Sequence, residues 1–368
     1  MKRLIQWCLA LVLAAPLAAQ GRTENVVLIV TDGLRWQEVF RGAERRLVSR
    51  TPGGVADTTG LLKEFWHEDA AARRASLLPF LWGTVARDGV IYGDKDAGSV
   101  ARITNTFKFS YPGYNELFTG WFDERIDNNE YPPNPNVTVF EWLNQQRGFE
   151  GRVGAVATWD AFTRIFNDSR AGIDVIDGWD APFSGKDARD PRRAMINELY
   201  ATSLKYWPGN AFDAPMHLAA KEYIRLKRPR VLFIGYGETD EWAHSGRYDL
   251  LLQSAHQVDA FIDDLWAMLQ GMRQYRGRTT FIISTDHGRG SGPEDWKSHG
   301  ARVVGAEDIW IAMIGPDTPA RGSIRGGNPV TQAQVAGTIA SLLGLGPEYK
   351  AKAPRSAPPI VPVRGSVP

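Results

Sequence analysis

The chain has 368 residues, and with 43% apolar and 23% charged residues its composition is that of an ordinary globular protein. This composition excludes a wholly disordered chain and a bundle of membrane helices. Lys and Arg total 43 against 42 acidic residues, and the net charge of +1 excludes a globally basic surface for nucleic acid or anionic lipid. A stable nucleic-acid partner is therefore not expected, and any anion must be bound at a local site.

Residues 1–19 have the pattern of a bacterial-type secretory signal peptide. Two basic residues precede an apolar core over 7–15, and small residues follow up to Ala19. Cleavage there predicts an exported protein, periplasmic or secreted, without a membrane span; the alternative is an uncleaved N-terminal anchor. Cleavage also removes Cys8, the only cysteine. Any metal in the mature chain must then be bound by His, Asp or Glu.

The rest of the chain alternates between strand and helix patterns. Continuous apolar, β-branched runs predict strands over 25–31, 152–158, 230–235, 279–285 and 308–314. Apolar residues at helical spacing predict helices over 77–85, 216–227, 250–272 and 330–343. This alternation predicts an α/β fold, a doubly wound and mostly parallel sheet with helices on both faces.

The domain organisation follows from the same patterns. One domain is predicted over 20–350. Within it, the stretch 160–215 has weak periodicity and is predicted as an insertion or cap over the carboxyl ends of the strands, where ligands bind in such sheets. The segment 351–368 is rich in proline and predicts an extended or disordered tail.

Ionisable side chains are concentrated at three predicted strand ends and in the loop after the fourth strand. They are Asp32, Asp240, His244, Asp286, His287 and His299. Taken singly, each also fits a turn, a helix cap or a surface histidine. Two ionisable groups at one buried strand end are costly without a partner, however, and carboxylate and imidazole suit Zn²⁺ or Mn²⁺. The pattern therefore favours a metal site at one edge of the sheet.

Ser110 is the candidate nucleophile. It precedes a predicted helix that ends at Gly120, and free backbone N–H groups at a helix N-terminus favour an anion. A metal beside the hydroxyl would activate it for attack. The alternative is an ordinary serine N-cap.

These motifs resemble those of the alkaline phosphatase superfamily, nearest its nucleotide pyrophosphatase/phosphodiesterase branch. The chain has them in the family's order: an early strand-end Asp, a Ser or Thr followed two residues on by Pro, Asp-x-x-x-His, Asp-His-Gly and a late His-Gly. The resemblance implies an alkaline phosphatase-like fold with an inserted cap and two divalent metal ions, with Zn²⁺ as first choice and Mn²⁺ as alternative.

Carried over by position, the resemblance also implies roles for individual residues. One metal is assigned to Asp32, Ser110, Asp286 and His287, and the other to Asp240, His244 and His299. The segment 127–129 resembles the position of the family's substrate-binding Asn, so Asn129, with Asn128 in reserve, is expected to bind phosphoryl oxygens. Lys108 is a further candidate for this role, with a solvated lysine as the alternative.

The chain departs from the branch around Ser110. Ser110 stands where the phosphodiesterases usually have Thr, and it is followed by Tyr111. After Pro112, Gly113 stands in place of the usual Asn-His, and no Arg follows Ser110 as it does in the monoesterases. The expected function is an exported two-metal hydrolase that cleaves small-molecule phosphodiesters or nucleotide-type substrates through a phosphoserine. The alternatives are a phosphomonoesterase or mutase of the same superfamily, and a non-catalytic, metal-stabilised protein that binds carbohydrate or a partner through its tryptophans.

Overall fold

A computed structural model describes residues 22–360. The predicted signal peptide and residues 361–368 of the predicted tail lie outside this range. The α/β prediction is confirmed, because a central, mostly parallel sheet is covered by helices on both faces. Within the described range, no helix has both the length and the apolar character that a membrane span requires.

The described range contains ten strands and fourteen helices. The strands are β1 (Asn25–Thr31), β2 (Val90–Tyr92), β3 (Ala101–Arg102), β4 (Val153–Ala157), β5 (Asp174–Ile176), β6 (Val231–Tyr236), β7 (Thr279–Ser284), β8 (Ile311–Ile314), β9 (Gly322–Ser323) and β10 (Val330–Thr331). The helices are α1 (Trp36–Arg41), α2 (Thr58–Phe65), α3 (Ala70–Leu77), α4 (Ala86–Asp88), α5 (Ser110–Thr119), α6 (Val139–Asn144), α7 (Phe162–Phe166), α8 (Asp168–Ala171), α9 (Pro191–Thr202), α10 (Asp213–Lys227), α11 (Glu238–His244), α12 (Tyr248–Gly271), α13 (Gln334–Leu342) and α14 (Gly346–Lys352).

Eight strands form the central sheet in the order β5-β4-β6-β1-β7-β8-β2-β9. The first five strands in this order, β5, β4, β6, β1 and β7, are parallel to one another. Strand β8 is antiparallel to both of its neighbours, β7 and β2. The sequence predicts β8 as a strand but not its reversed direction, because an apolar run does not encode direction. Strands β3 and β10 form a separate parallel pair.

The sheet has an apolar core on each face. All seven residues of β1 are buried, and because successive side chains of a strand alternate, Val27 and Ile29 enter one core while Val26 and Leu28 enter the other. The first core is completed by helices that include α10 and α12, and the second by helices that include α5 and α13. This burial on both faces is why β1 is a continuous apolar run.

One predicted helix is interrupted. The pattern predicts a helix over 77–85, but α3 ends at Leu77 and a wide helical turn over Leu81–Val85 leads into α4. Pro79 explains the break, because it has no backbone N–H and disfavours the helical conformation of the preceding residue. The predicted helix over 330–343 likewise starts late, since β10 precedes α13.

The two segments expected to lie outside the sheet are partly built into the fold. The stretch 160–215 supplies β5, an edge strand of the sheet, and Tyr200 of α9 packs into the first core. Helix α14 covers the start of the predicted tail. Beyond it, 353–360 has no helix or strand, but Ile360 is only 1% exposed and packs into the second core.

Asp259 of α12 gives the fold a pH-dependent contact. Its carboxylate accepts the backbone N–H groups of Phe80 (2.6 Å) and Leu81 (3.0 Å), and burial raises its pKa from 3.8 to about 7. At a pH between 3.8 and about 7, Asp259 keeps its proton in the folded protein but has lost it in the unfolded chain. The stability of the folded protein therefore falls as the pH rises through this range. We expect Tm to fall more from about pH 5 to about pH 8 in the wild type than in Asp259→Asn, measured by differential scanning fluorimetry.

The control for this prediction is Asp127→Asn, which changes an exposed carboxylate outside α12. This variant is expected to keep the pH dependence of the wild type. The same fall in Tm for wild type and Asp259→Asn would contradict the assignment of the pH dependence to Asp259.

Candidate metal and nucleophile site

Three neighbouring strands bring the site residues to one edge of the sheet. Strand β1 pairs in parallel with β6 on one side and with β7 on the other, so their carboxyl ends coincide. Asp32 follows β1, and Asp286 and His287 follow β7 within three residues. Asp240 and His244 lie on α11, directly after β6. Side chains far apart in the sequence therefore meet where the three strands end.

The first cluster is formed by Asp32, Asp286 and His287. His287 Nε2 lies 3.5 Å from Asp32 Oδ1 and 3.5 Å from Asp286 Oδ2. Both carboxylate oxygens are buried and have no hydrogen-bond partner. Ser110 Oγ lies 3.4 Å from the same His287 nitrogen. Three acceptor atoms and a hydroxyl thus converge, which is the arrangement a cation requires.

The second cluster contains Asp240, His244 and His299. His287 adjoins it as well, because its Nε2 lies 3.8 Å from Asp240 Oδ1, and Asp240, His287 and His299 also form a group that could bind a metal. The Nε2 atoms of the two histidines lie 2.9 Å apart, and Asp240 Oδ2 is 3.3 Å from His244 Nε2. Asp240 Oδ1 is 3.9 Å from His299 Nε2. The clusters adjoin each other, since the rings of His287 and His299 are stacked with centroids 4.0 Å apart.

Two histidines are oriented by backbone carbonyls. His287 Nδ1 lies 3.0 Å from the carbonyl oxygen of Gly288, and His299 Nδ1 lies 3.2 Å from that of Lys108. A ring whose Nδ1–H donates to a carbonyl offers the Nε2 lone pair to a ligand. Burial lowers the pKa of both imidazoles, which favours the neutral form that binds metals.

The buried carboxyl groups lack a balancing charge between them. Burial, together with the nearby charge of Asp286, raises the pKa of Asp32 to about 8. Burial also raises the pKa of Asp286 to about 7. A divalent cation between the two would remove this cost. Three carboxylates, three imidazoles and one hydroxyl are ligands that Zn²⁺ and Mn²⁺ accept, so these residues fit two divalent ions.

Ser110 is the first residue of α5, not its N-cap. Phe109 occupies the cap position with an extended backbone, and the buried Ser110 hydroxyl faces His287. Tyr114, one helical turn further along, donates its hydroxyl to Asp32 Oδ2 at 3.0 Å. The same helix therefore presents the hydroxyl and fixes one carboxylate.

Of the three residues expected to bind substrate, the structure places Asn129 beside Ser110. Its Oδ1 accepts the backbone N–H of Tyr111 at 3.0 Å, whereas Asn128 is exposed and donates to the neighbouring Asp127.

The ammonium group of Lys108 is bound elsewhere. It lies 2.7 Å from Glu307 Oε2. The backbone of Lys108 is left-handed (φ 58°), and its carbonyl oxygen contacts His299 Nδ1. The backbone of Lys108 contacts a site residue, and a role for its side chain in binding substrate stays a prediction.

Sequence reasoning missed two residues at the site. Tyr114 could have been found from its spacing of four residues after Ser110, which places both on one helix face. Arg289 is wholly buried and its guanidinium contacts Asp240. A charged residue directly after Asp-His-Gly was the available signal, but its partner lies on another element.

Comparison with family models gives one assignment. The model described as type I phosphodiesterase / nucleotide pyrophosphatase matches residues 51–342, a range that contains every site residue except Asp32. Among curated proteins, a 2,3-bisphosphoglycerate-independent phosphoglycerate mutase of Gracilaria tenuistipitata var. liui is 20% identical over 271 residues. That match covers 69% of this chain and 48% of the mutase, so the chain spans about half the length of this relative.

Solved structures share the fold at low identity. Murine ectonucleotide pyrophosphatase / phosphodiesterase 5 has a TM-score of 0.51 and 12% identity, with 87% of this chain and 95% of that chain covered. The lipoteichoic acid synthase LtaP of Listeria monocytogenes has a TM-score of 0.52 and 12% identity, with 89% and 73% covered. The phosphonate monoester hydrolase SpPMH of Silicibacter pomeroyi has a TM-score of 0.51 and 13% identity, with 88% and 73% covered.

Proposed function

Because the chain belongs to the type I phosphodiesterase / nucleotide pyrophosphatase family, we propose that it is a two-metal phosphodiesterase with Ser110 as its nucleophile. The observation that carries the proposal is the position of the Ser110 hydroxyl. It lies at the first turn of a ten-residue helix and 3.4 Å from His287, beside two buried carboxylate oxygens without partners. A hydroxyl at this place faces a cation site and a positive helix end together.

The residues would divide the two ions between them. Asp32, Asp286, His287 and Ser110 would hold one, and Asp240, His244 and His299 the other, with Zn²⁺ the first choice and Mn²⁺ the alternative. When bound, the pair supplies Lewis-acid activation of the hydroxyl and neutralises charge on the phosphoryl oxygens.

The reaction proceeds in two displacements at phosphorus. Ser110 Oγ attacks, a phosphorus–oxygen bond to the serine forms, and the bond to the first alcohol breaks. The proton lost by the hydroxyl balances the proton that the leaving alkoxide takes up. The intermediate is a seryl phosphodiester, because the second alcohol stays on phosphorus. Water then cleaves the bond between phosphorus and the serine oxygen, which releases a phosphate monoester and restores the hydroxyl. Asn129, whose carbonyl group is held by Tyr111 N–H, directs its amide N–H groups to a phosphoryl oxygen.

The charges around Ser110 favour a diester over a monoester. A monoester carries about one more negative charge near neutral pH, which needs an additional cation. Three cations lie two residues from a site residue in the sequence, and all three are already paired: Lys108 with Glu307, Arg289 with Asp240 and Lys297 with Glu294. A related murine structure, with a TM-score of 0.50, was solved in complex with AMP, which supports nucleotide-type substrates.

The test compares a diester with a monoester. Purified protein is assayed with bis-p-nitrophenyl phosphate and with p-nitrophenyl phosphate, before and after EDTA treatment and Zn²⁺ addition. We expect kcat/KM for the diester to exceed that for the monoester by about tenfold or more. EDTA should abolish both activities, and Zn²⁺ should restore them.

The other outcomes would contradict parts of the proposal. Preference for the monoester would favour a phosphomonoesterase of the same superfamily. Zinc binding without release from either substrate would favour the non-catalytic binding protein.

The place of action is proposed from residues 1–19, whose basic, apolar and small residues favour export to the periplasm or medium. The substrate would then be a small phosphate ester outside the cytoplasm.

A further inference from the structure

Arg289 is a buried cation inside the candidate metal site. Its side chain has no exposed surface, and it follows Asp286 and His287 with one glycine between. A buried guanidinium is costly unless its donors are bound. The groups that the guanidinium binds therefore indicate the role of Arg289.

The guanidinium joins the two segments that carry ligands of the second cluster. Nη2 forms an ion pair with Asp240 Oδ1 and also donates to the Asp240 backbone oxygen at 3.2 Å. Nη1 donates to the backbone oxygen of Lys297 at 2.7 Å, two residues before His299. One side chain from the end of β7 thus holds both α11 and the loop that carries His299.

The turn after β1 leaves room for this contact. A Cβ at Gly33 would lie 2.6 Å from Asp240 Oδ1 and 2.9 Å from Arg289 Nε, so a side chain there would displace the pair. Gly33 also has a left-handed backbone (φ 59°), which favours glycine. The guanidinium therefore approaches the carboxylate directly against the backbone.

We propose that Arg289 is the positioning residue of the Asp240/His244/His299 metal site, an inference that rests on the proposed two-metal function. The guanidinium binds Asp240 Oδ1 and the backbone around the other ligands, and so fixes the carboxylate before metal arrives. Residues that bind a ligating carboxylate in this way typically contribute 10–100-fold, by order of magnitude, to metal affinity. The Asp32/Asp286/His287 site has no hydrogen bond from Arg289 and should depend on it less, although His287 Nε2 lies 3.8 Å from Asp240 Oδ1.

The experiment measures zinc binding by each site. Metal-free wild type, Arg289→Met and Arg289→Lys are titrated with Zn²⁺ by calorimetry, and bound zinc is counted by mass spectrometry after dialysis at fixed free zinc. In Arg289→Met we expect one site to bind zinc about 10–100-fold more weakly and the other to change by a smaller factor. Arg289→Lys keeps the charge but has one terminal nitrogen in place of Nη1 and Nη2. The zinc affinity of its weaker site should therefore lie between those of the wild type and Arg289→Met.

The control is Arg170→Met, which removes a guanidinium bound to Glu141 and to the backbone oxygen of Asn134, none of them site residues. It should bind two zinc ions as the wild type does. A merely structural role for Arg289 would lower the Tm of the variants but leave both zinc affinities unchanged, and this result would overturn the inference. If Arg289→Met does not fold, wild-type affinities in Arg289→Lys would overturn it equally. A wild type that binds fewer than two zinc ions would instead overturn the two-metal proposal itself.

Discussion

Ser110→Ala is expected to lower kcat for bis-p-nitrophenyl phosphate by about a thousandfold or more, because it removes the atom that attacks phosphorus. Bound zinc should stay at two per chain, since each cluster keeps its carboxylates and imidazoles. The measurement is kcat together with zinc content on the same preparation. Acid quenching of the wild type during turnover should yield a peptide in which Ser110 carries a p-nitrophenyl phosphoryl group, and the variant should yield none.

Two further variants separate loss of the nucleophile from damage to the site. Ser110→Thr keeps a hydroxyl and should retain measurable turnover. Ser245→Ala changes an exposed serine at the end of α11, next to His244, and should leave kcat near the wild-type value. Unchanged turnover in Ser110→Ala would remove Ser110 from the nucleophile role.

The central part of the fold is predictable because its strands are buried on both faces. Apart from Arg230, the runs 25–31, 230–235 and 279–285 have no charged residue, and their bounds agree within one residue with those of β1, β6 and β7 respectively. The short strands β2, β5 and β9 were missed, since two or three residues give no usable periodicity. The direction of β8 could not be predicted either, because the direction of a strand depends on the segments that connect it to its neighbours and not on its apolar residues.

The sequence predicted those site residues that directly follow a strand of the sheet. Asp32 and Asp286 follow adjacent parallel strands, so their meeting follows from the topology. The contacts of Lys108 and Arg289 depend instead on partners distant in sequence, Glu307 and Asp240, and on a left-handed backbone at Lys108. A single residue type cannot indicate which of several possible partners its long side chain will reach.

Asp286→Asn should remove one zinc ion while making the metal-free protein more stable. The amide oxygen can still accept the Gly33 N–H, as Asp286 Oδ1 does at 3.1 Å, but the second ligand oxygen is lost. Since burial beside Asp32 raises the pKa of both carboxyls, the variant relieves a cost that only a cation offsets in the wild type. We expect zinc content to fall from two to one, kcat to fall by about two to three orders of magnitude, and the metal-free Tm at about pH 8 to rise.

Two further variants test whether these effects are specific to the metal site that contains Asp286. His299→Ala should also lose one zinc ion, but without the rise in metal-free Tm, because an imidazole and not a carboxylate is removed. Asp259→Asn changes a buried carboxyl that binds only the backbone N–H groups of Phe80 and Leu81, so it should keep both zinc ions and full turnover. Full zinc occupancy in Asp286→Asn would contradict its role as a ligand. A lower metal-free Tm would show instead that the buried carboxylates stabilise the fold without metal, and the energetic argument for a cation between them would fail.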